Sequence, residues 1–266
     1  MQRATSFFAG KVTKTTSRRG ALVTGGAAGL ARGITLALAR DGYDVHFTFR
    51  PSGTGPEQTQ HALTAEGLSS QAHPLEFLGD ADRVLEQLQA IVNIRRIDVL
   101  VHAVGPMSIQ RFERSAHSDY QAMLDGNLRS AVQAAAVVLP QMRANGFGRL
   151  VFFGMHGSAV TTPARGLAFY AAAKSGLVAF ARTLALEEGR YGVTVNVVEP
   201  GDIRDKEISR EQARKVSAAN AVRRAGSWED VADAVRFLIR EDADYLSGVV
   251  LDVSGGLSGP YERKGT

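Results

Sequence analysis

The chain has 266 residues, 44% of them hydrophobic and 22% charged, which is the make-up of a globular protein able to bury a sizeable core. It has no cysteine, which excludes disulfides, cysteine nucleophiles and cysteine-held metals, and no apolar run long enough for a membrane span or a signal-peptide core. The net charge of +4 comes from the start of the chain: Arg3, Lys11, Lys14, Arg18 and Arg19 lie there with no acid among them, and the rest is near neutral with 26 bases against 27 acids. No basic stripe runs through that body, so neither nucleic acid nor membrane is an expected partner.

Residues 1–19 read as a basic extension, expected to be disordered and solvated. Their Arg, Ser and Thr content without acids also fits an organelle transit segment, with a cytoplasmic protein as the default expectation. From residue 20 short β-branched runs alternate with Ala- and Leu-rich stretches. Strands are expected at Ala21–Thr24, Asp44–Phe49, Asp98–Val101, Leu150–Phe153, Thr194–Val198 and Val249–Val253. Between them helices are expected at Leu30–Arg40, Val84–Ile94, one long helix around Tyr120–Met142, Phe169–Glu188 and Glu229–Ile239. Continuous apolar strands alternating with helices predict an α/β fold, a doubly wound parallel sheet of Rossmann type with helices on both faces. No repeat or linker divides residues 20–258, read as one dinucleotide-binding and catalytic domain followed by a tail at 259–266. The irregular stretch from about Asp202 to Asn220 is the expected mobile lid.

Thr24-Gly25-Gly26-Ala27-Ala28-Gly29-Leu30-Ala31 stands where the first strand meets the first helix. Glycines there let the backbone approach a pyrophosphate, and the helix start supplies free N–H groups and a positive dipole end. Gly25, Gly29 and Leu30 are therefore candidate cofactor contacts. At the end of the second strand, where a fold preferring NAD places an acid for the ribose 2′-hydroxyl, Arg50 follows Phe49 instead. A guanidinium there matches a 2′-phosphate, so the expected cofactor is NADP (NADPH) rather than NAD. The alternative is a solvated loop arginine.

Tyr170-Ala171-Ala172-Ala173-Lys174 sets a phenol and an ammonium one helical turn apart. A neighbouring ammonium is expected to lower the phenol's pKa, fitting Tyr170 for acid/base work between a carbonyl and an alcohol. The six histidines show no metal-ligand spacing with carboxylates, so no metal is expected.

With these motifs in place the sequence resembles the short-chain dehydrogenase/reductase family, in particular its 3-oxoacyl-(acyl-carrier-protein) reductase-like members. The resemblance spans about residues 20–256. It rests on the glycine turn, Asp98-Val99-Leu100-Val101-His102-Ala103-Val104-Gly105, Asn127, Tyr170 with Lys174, Asn196-Val197-Val198-Glu199-Pro200-Gly201, Arg224-Ala225-Gly226 and Asp252-Val253-Ser254-Gly255-Gly256. It implies that Lys174 also bonds the nicotinamide ribose, that Asn127 supports a water-linked proton relay to Lys174, and that Pro200, Gly201 and Ile203 line the nicotinamide.

Three departures stand out. Ala31 replaces the third turn glycine. Ala103 replaces an asparagine that the family uses near the cofactor ribose. Met155 falls where the family has its catalytic serine, and methionine has no O–H to polarise a carbonyl. Ser158 is the first substitute to consider and His156 the second, each with a purely structural loop role as the alternative. The expected activity is reduction of a ketone, a 3-oxoacyl thioester among the options. The alternatives are an enoyl-thioester reductase, an alcohol dehydrogenase, or a catalytically weak NADP-binding sensor. The small residues of Phe169–Glu188 and Ala131–Val138 point to a homo-oligomer, a tetramer or a dimer, by close helix approach.

Overall fold

The computed structural model describes residues 18–53, 55–203 and 205–257. Most of the basic extension, and the C-terminal tail, lie outside the described residues. In chain order the strands are β1 (Gly20–Thr24), β2 (Asp44–Phe49), β3 (Ser70–Pro74), β4 (Val99–His102), β5 (Gly148–Phe153), β6 (Val193–Pro200) and β7 (Val250–Val253). The α-helices are α1 (Gly29–Arg40), α2 (Glu57–Ala65), α3 (Ala81–Ile94), α4 (His117–Leu124), α5 (Ser130–Asn145), α6 (Ala168–Glu188), α7 (Arg210–Ala213) and α8 (Trp228–Leu238).

All seven strands are parallel, in the order β3-β2-β1-β4-β5-β6-β7. Every residue of β1, β4 and β5 is buried, as strands covered on both faces must be. One apolar layer joins Leu22, Leu100, Leu150 and Val195 to α3, α5 and α6, and the other joins Val23, Phe47, Val101 and Val151 to α1 and α8. On that second face α1 meets α8 through Gly33, where an added Cβ would lie 2.6 Å from the Trp228 ring. The order in which successive strands are added reverses between β1 and β4, and this switch opens a crevice beyond the carboxyl ends of the strands.

Two elements escape the sequence pattern. The edge strand β3 is Ser-Gln-Ala-His-Pro with no buried residue, and α2 buries only Thr59 and Leu63, so neither has an apolar period to read. The expected single helix over Tyr120–Met142 is instead α4, a π turn at Asp125–Arg129, and α5. The widened turn is held from within: Asn127 Nδ2 donates to the carbonyls of Met123 and Pro106, at 2.9 Å each, and Ser130 Oγ donates to Gly126 O at 2.7 Å. The stretch expected to be irregular contains α7, started by a Ser209–Gln212 capping box and tied to α8 by Arg210 against Asp230 and Asp233.

At the amino end of β5 the Arg149 guanidinium is fully buried. It donates to the carbonyls of Gly148, Gly192, Arg240 and Glu241 and lies 4.2 Å from the Phe147 ring centre. That one side chain joins β5 to the loops before β6 and after α8.

Candidate active site

The glycine turn lies in the crevice. Gly25 (φ 72°) and Gly29 (φ 57°) take left-handed backbone conformations that favour glycine. No side chain of α1's own sequence caps its start, where Ala28 is the cap residue, and its first turn holds no acid. The helix start is covered from the segment after β6: Glu207 Oε1 accepts from Gly29 N at 3.4 Å, its other oxygen lies 3.8 Å from Arg32, and Lys206 packs over Gly29. A carboxylate thus sits where helix geometry favours an anion.

A cavity of about 390 Å³ runs from this turn to the start of α6. Gly25, Gly29, Leu30, Ala103, Tyr170, Lys174, Pro200, Gly201 and Ile203 all line it, so nine residues expected from the sequence converge there from four separate segments. Arg50 does not reach this cavity. It is exposed at the end of β2 and has no carboxylate partner among the described residues.

Asn127 lies behind the cavity wall, fully buried on the π turn. Both of its amide hydrogens are used, while its Oδ1 has no hydrogen-bond partner among the described residues. Gly105 separates that oxygen from Lys174: a Cβ on Gly105 would press on Asn127 Oδ1 and lie 3.1 Å from Lys174 Nζ. Lys174 Nζ donates to Phe153 O at 2.6 Å. Burial, aided by the charge of Lys206, lowers Lys174 to about 7.

Tyr170 departs from the sequence expectation. Its ring centre is 5.6 Å from Lys174 Nζ, yet burial dominates and raises the phenol to about 12. Tyr170 is therefore held as the proton-bearing phenol, an acid, before any ligand alters the balance. His102, beside the family's asparagine position, has a structural part that sequence reasoning did not assign. Ala103 N and Thr24 Oγ1, Thr24 Oγ1 and His102 Nδ1, and His102 Nε2 and Ser130 Oγ are each 3.0 Å apart. Since Ser130 donates onward to Gly126, the chain is satisfied with hydrogen on Nε2, and burial lowers His102 to about 3, keeping it neutral. This network ties β1, β4 and the π turn together.

The loop after β5 separates the three residues considered for the missing serine. Met155 and His156 line the cavity, and Ser158 does not. Ser158 is 2% exposed and donates to Glu199 Oε1 at 2.5 Å. The Glu199 carboxylate, itself buried, also accepts from Gly157 N at 2.9 Å and Ala159 N at 3.0 Å. The expectation that Ser158 serves the substrate is corrected here: its hydroxyl is committed to holding the loop. The sequence pattern assigns Glu199 no separate part, and an acid before Pro-Gly on a buried strand is the signal that could mark it. His156 Nδ1 is 3.0 Å from Asp252 Oδ1 on β7.

Comparison with known proteins agrees with this geometry. Residues 25–258 match the family model described as Enoyl-(Acyl carrier protein) reductase. The chain belongs to the short-chain dehydrogenase/reductase family. The Bacillus subtilis protein YtkK, named as an oxidoreductase, is 33% identical over 90% of this chain and 96% of its own length. The Escherichia coli protein named 3-oxoacyl-[acyl-carrier-protein] reductase FabG is 32% identical over 89% of this chain and 96% of its own. A solved Serratia marcescens short-chain dehydrogenase/reductase is 30% identical and superposes with a TM-score of 0.79, covering 90% of this chain and 97% of that one. The protein is an oxidoreductase of a family that uses nicotinamide cofactors. No helix of the described residues is long and apolar enough to cross a membrane.

Proposed function

We propose that this protein is an NADPH-dependent reductase that interconverts a ketone, of small or 3-oxoacyl thioester type, with a secondary alcohol. The observation that carries the reading is the convergence of Tyr170 and Lys174 with the glycine turn and Pro200-Gly201 on one cavity. The relatives named as 3-oxoacyl reductases support the thioester option.

The residues present fit a nicotinamide dinucleotide. Gly25 and Gly29 give backbone access to a pyrophosphate, and the anion position at the start of α1 is held meanwhile by Glu207. Arg50, without a carboxylate partner among the described residues, suits a 2′-phosphate better than a hydroxyl. The cofactor, when bound, supplies the hydride.

The chain's own residues handle the proton. Tyr170, raised to about 12, keeps its hydrogen until negative charge develops on the substrate oxygen and then donates it. Lys174, held by Phe153 O and lowered to about 7, is poised to return a proton towards the phenolate at neutral pH. Asn127 Oδ1, buried with no partner among the described residues, is an acceptor facing Lys174 past Gly105, which supports a relay through water. The exposed apolar side chains Val132 on α5 and Leu186 on α6 support self-association through these helices. Incubating the protein with NADPH, small ketones and acetoacetyl thioesters, and analysing the products, tests the reading. Alcohol formed in step with NADPH loss is expected; tight cofactor binding with no carbonyl reduced would favour a sensor.

A further inference from the structure

The methionine at the serine position leaves the reacting oxygen with Tyr170 as its only family-type partner. The cavity itself narrows the choice of a second one. Among its lining residues the side chains that form strong hydrogen bonds are His156, Tyr170, Lys174 and Lys206. Lys174 is bonded to Phe153 O, and Lys206 lies at the other end, over Gly29. Ser158 is buried against Glu199, off the cavity. His156 remains.

Its ring is prepared for such a part. The side chain is only 13% exposed, and it leaves the end of β5 on the same loop as Met155. An ionised carboxylate only accepts, so Asp252 Oδ1 fixes a hydrogen on His156 Nδ1. Asp252 is in turn held by Ser254, whose Oγ donates to its other oxygen at 2.8 Å. With Nδ1 committed, Nε2 is the nitrogen left for a ligand. The loop carrying the ring is itself pinned by the three bonds to Glu199.

We propose that His156 takes the place of the missing serine, its Nε2 being the second hydrogen-bonding partner of the substrate oxygen, with Asp252 as the positioning residue that orients the ring. The inference rests on the carbonyl-reductase reading. In reduction the ring, when it carries hydrogen on both nitrogens, donates Nε2–H to the carbonyl oxygen and keeps that proton. The hydride from the reduced nicotinamide forms the new C–H bond, and the Tyr170 O–H bond breaks as the alcohol O–H forms. In the reverse direction a neutral Nε2 accepts from the alcohol.

The test uses the full-length protein with NADPH and the best carbonyl from the panel above. His156→Ala is expected to lower kcat by about 10²–10³, the usual effect of losing one oxyanion-type donor, with NADPH binding by fluorescence titration unchanged. Asp252→Asn should lower kcat by a smaller factor, with unchanged NADPH binding and an altered His156 Nδ1 signal in ¹⁵N-histidine NMR. Ser158→Ala should spare kcat in whatever fraction folds. Met155→Ser added to His156→Ala should restore part of the rate, which a purely structural histidine would not allow. An active wild type whose His156→Ala variant keeps full kcat would overturn the inference and leave the reductase reading standing. A wild type that binds NADPH and reduces no carbonyl would overturn both.

Discussion

Two buried cations mark opposite ends of strand β5. Arg149, at its amino end, donates to four backbone carbonyls and packs on Phe147. Lys174, at its carboxyl end, has one hydrogen bond among the described residues, to Phe153 O, and shares its surroundings with an Asn127 oxygen that no described residue satisfies. Burial lowers the pKa of both groups, so the difference lies in how completely each is partnered. A saturated buried charge is a rivet of the scaffold. An under-partnered one, beside a cavity, is reserved for chemistry.

The comparison can be broken most sharply by removing each cation in turn. Lys174→Met is expected to cut kcat by about 10²–10⁴, the range for loss of acid/base assistance, without lowering stability at pH 7. Equal unfolding by urea in the variant and the wild type would support that; a large drop in midpoint would show Lys174 to be a rivet too. Arg149→Met should do the reverse. It orphans several carbonyls at once and should cost about 2–4 kcal/mol in urea unfolding, with near-normal kcat in the folded fraction.

A third prediction concerns the cofactor end. Arg50→Asp should weaken NADPH binding by about 10–100-fold, the worth of a charge-assisted phosphate contact, and leave NADH binding little changed. Equal effects on the two would remove the 2′-phosphate assignment. The smallest effect is a slope. Lys174 lies at about 7 in the folded protein against an ordinary 10.5, so between those values the unfolded chain binds the extra proton. Stability should therefore rise with pH across that window, by up to about 1.4 kcal/mol per unit, and this contribution should vanish in Lys174→Met.

Much of this was legible in the sequence, for identifiable reasons. The central strands announce themselves because both faces are buried, as in Leu150-Val151-Phe152-Phe153. The glycine turn and the Tyr170–Lys174 pair are local patterns, each weak alone, that carry meaning together with Asn127 and Pro200-Gly201 around them. What escaped depends on contacts distant in sequence. The π turn follows from Asn127 reaching Pro106, 21 residues away. Nothing near Ser158 in sequence shows that its hydroxyl is claimed by Glu199, 41 residues on. The phenol's pKa departs from the sequence expectation because a one-turn spacing shows the ammonium and hides the burial of both groups. Edge strand β3 and helix α2 bury too little to leave a pattern.

The central claim is that Tyr170 is the acid of a hydride-transfer site. It is tested most directly by single-turnover mixing of NADPH-loaded protein with a ketone that the wild type reduces, alongside Tyr170→Phe. The account predicts NADPH binding within about threefold of wild type and hydride transfer slowed by about 10²–10⁴. A Tyr170→Phe protein that transfers hydride at the wild-type rate would contradict it.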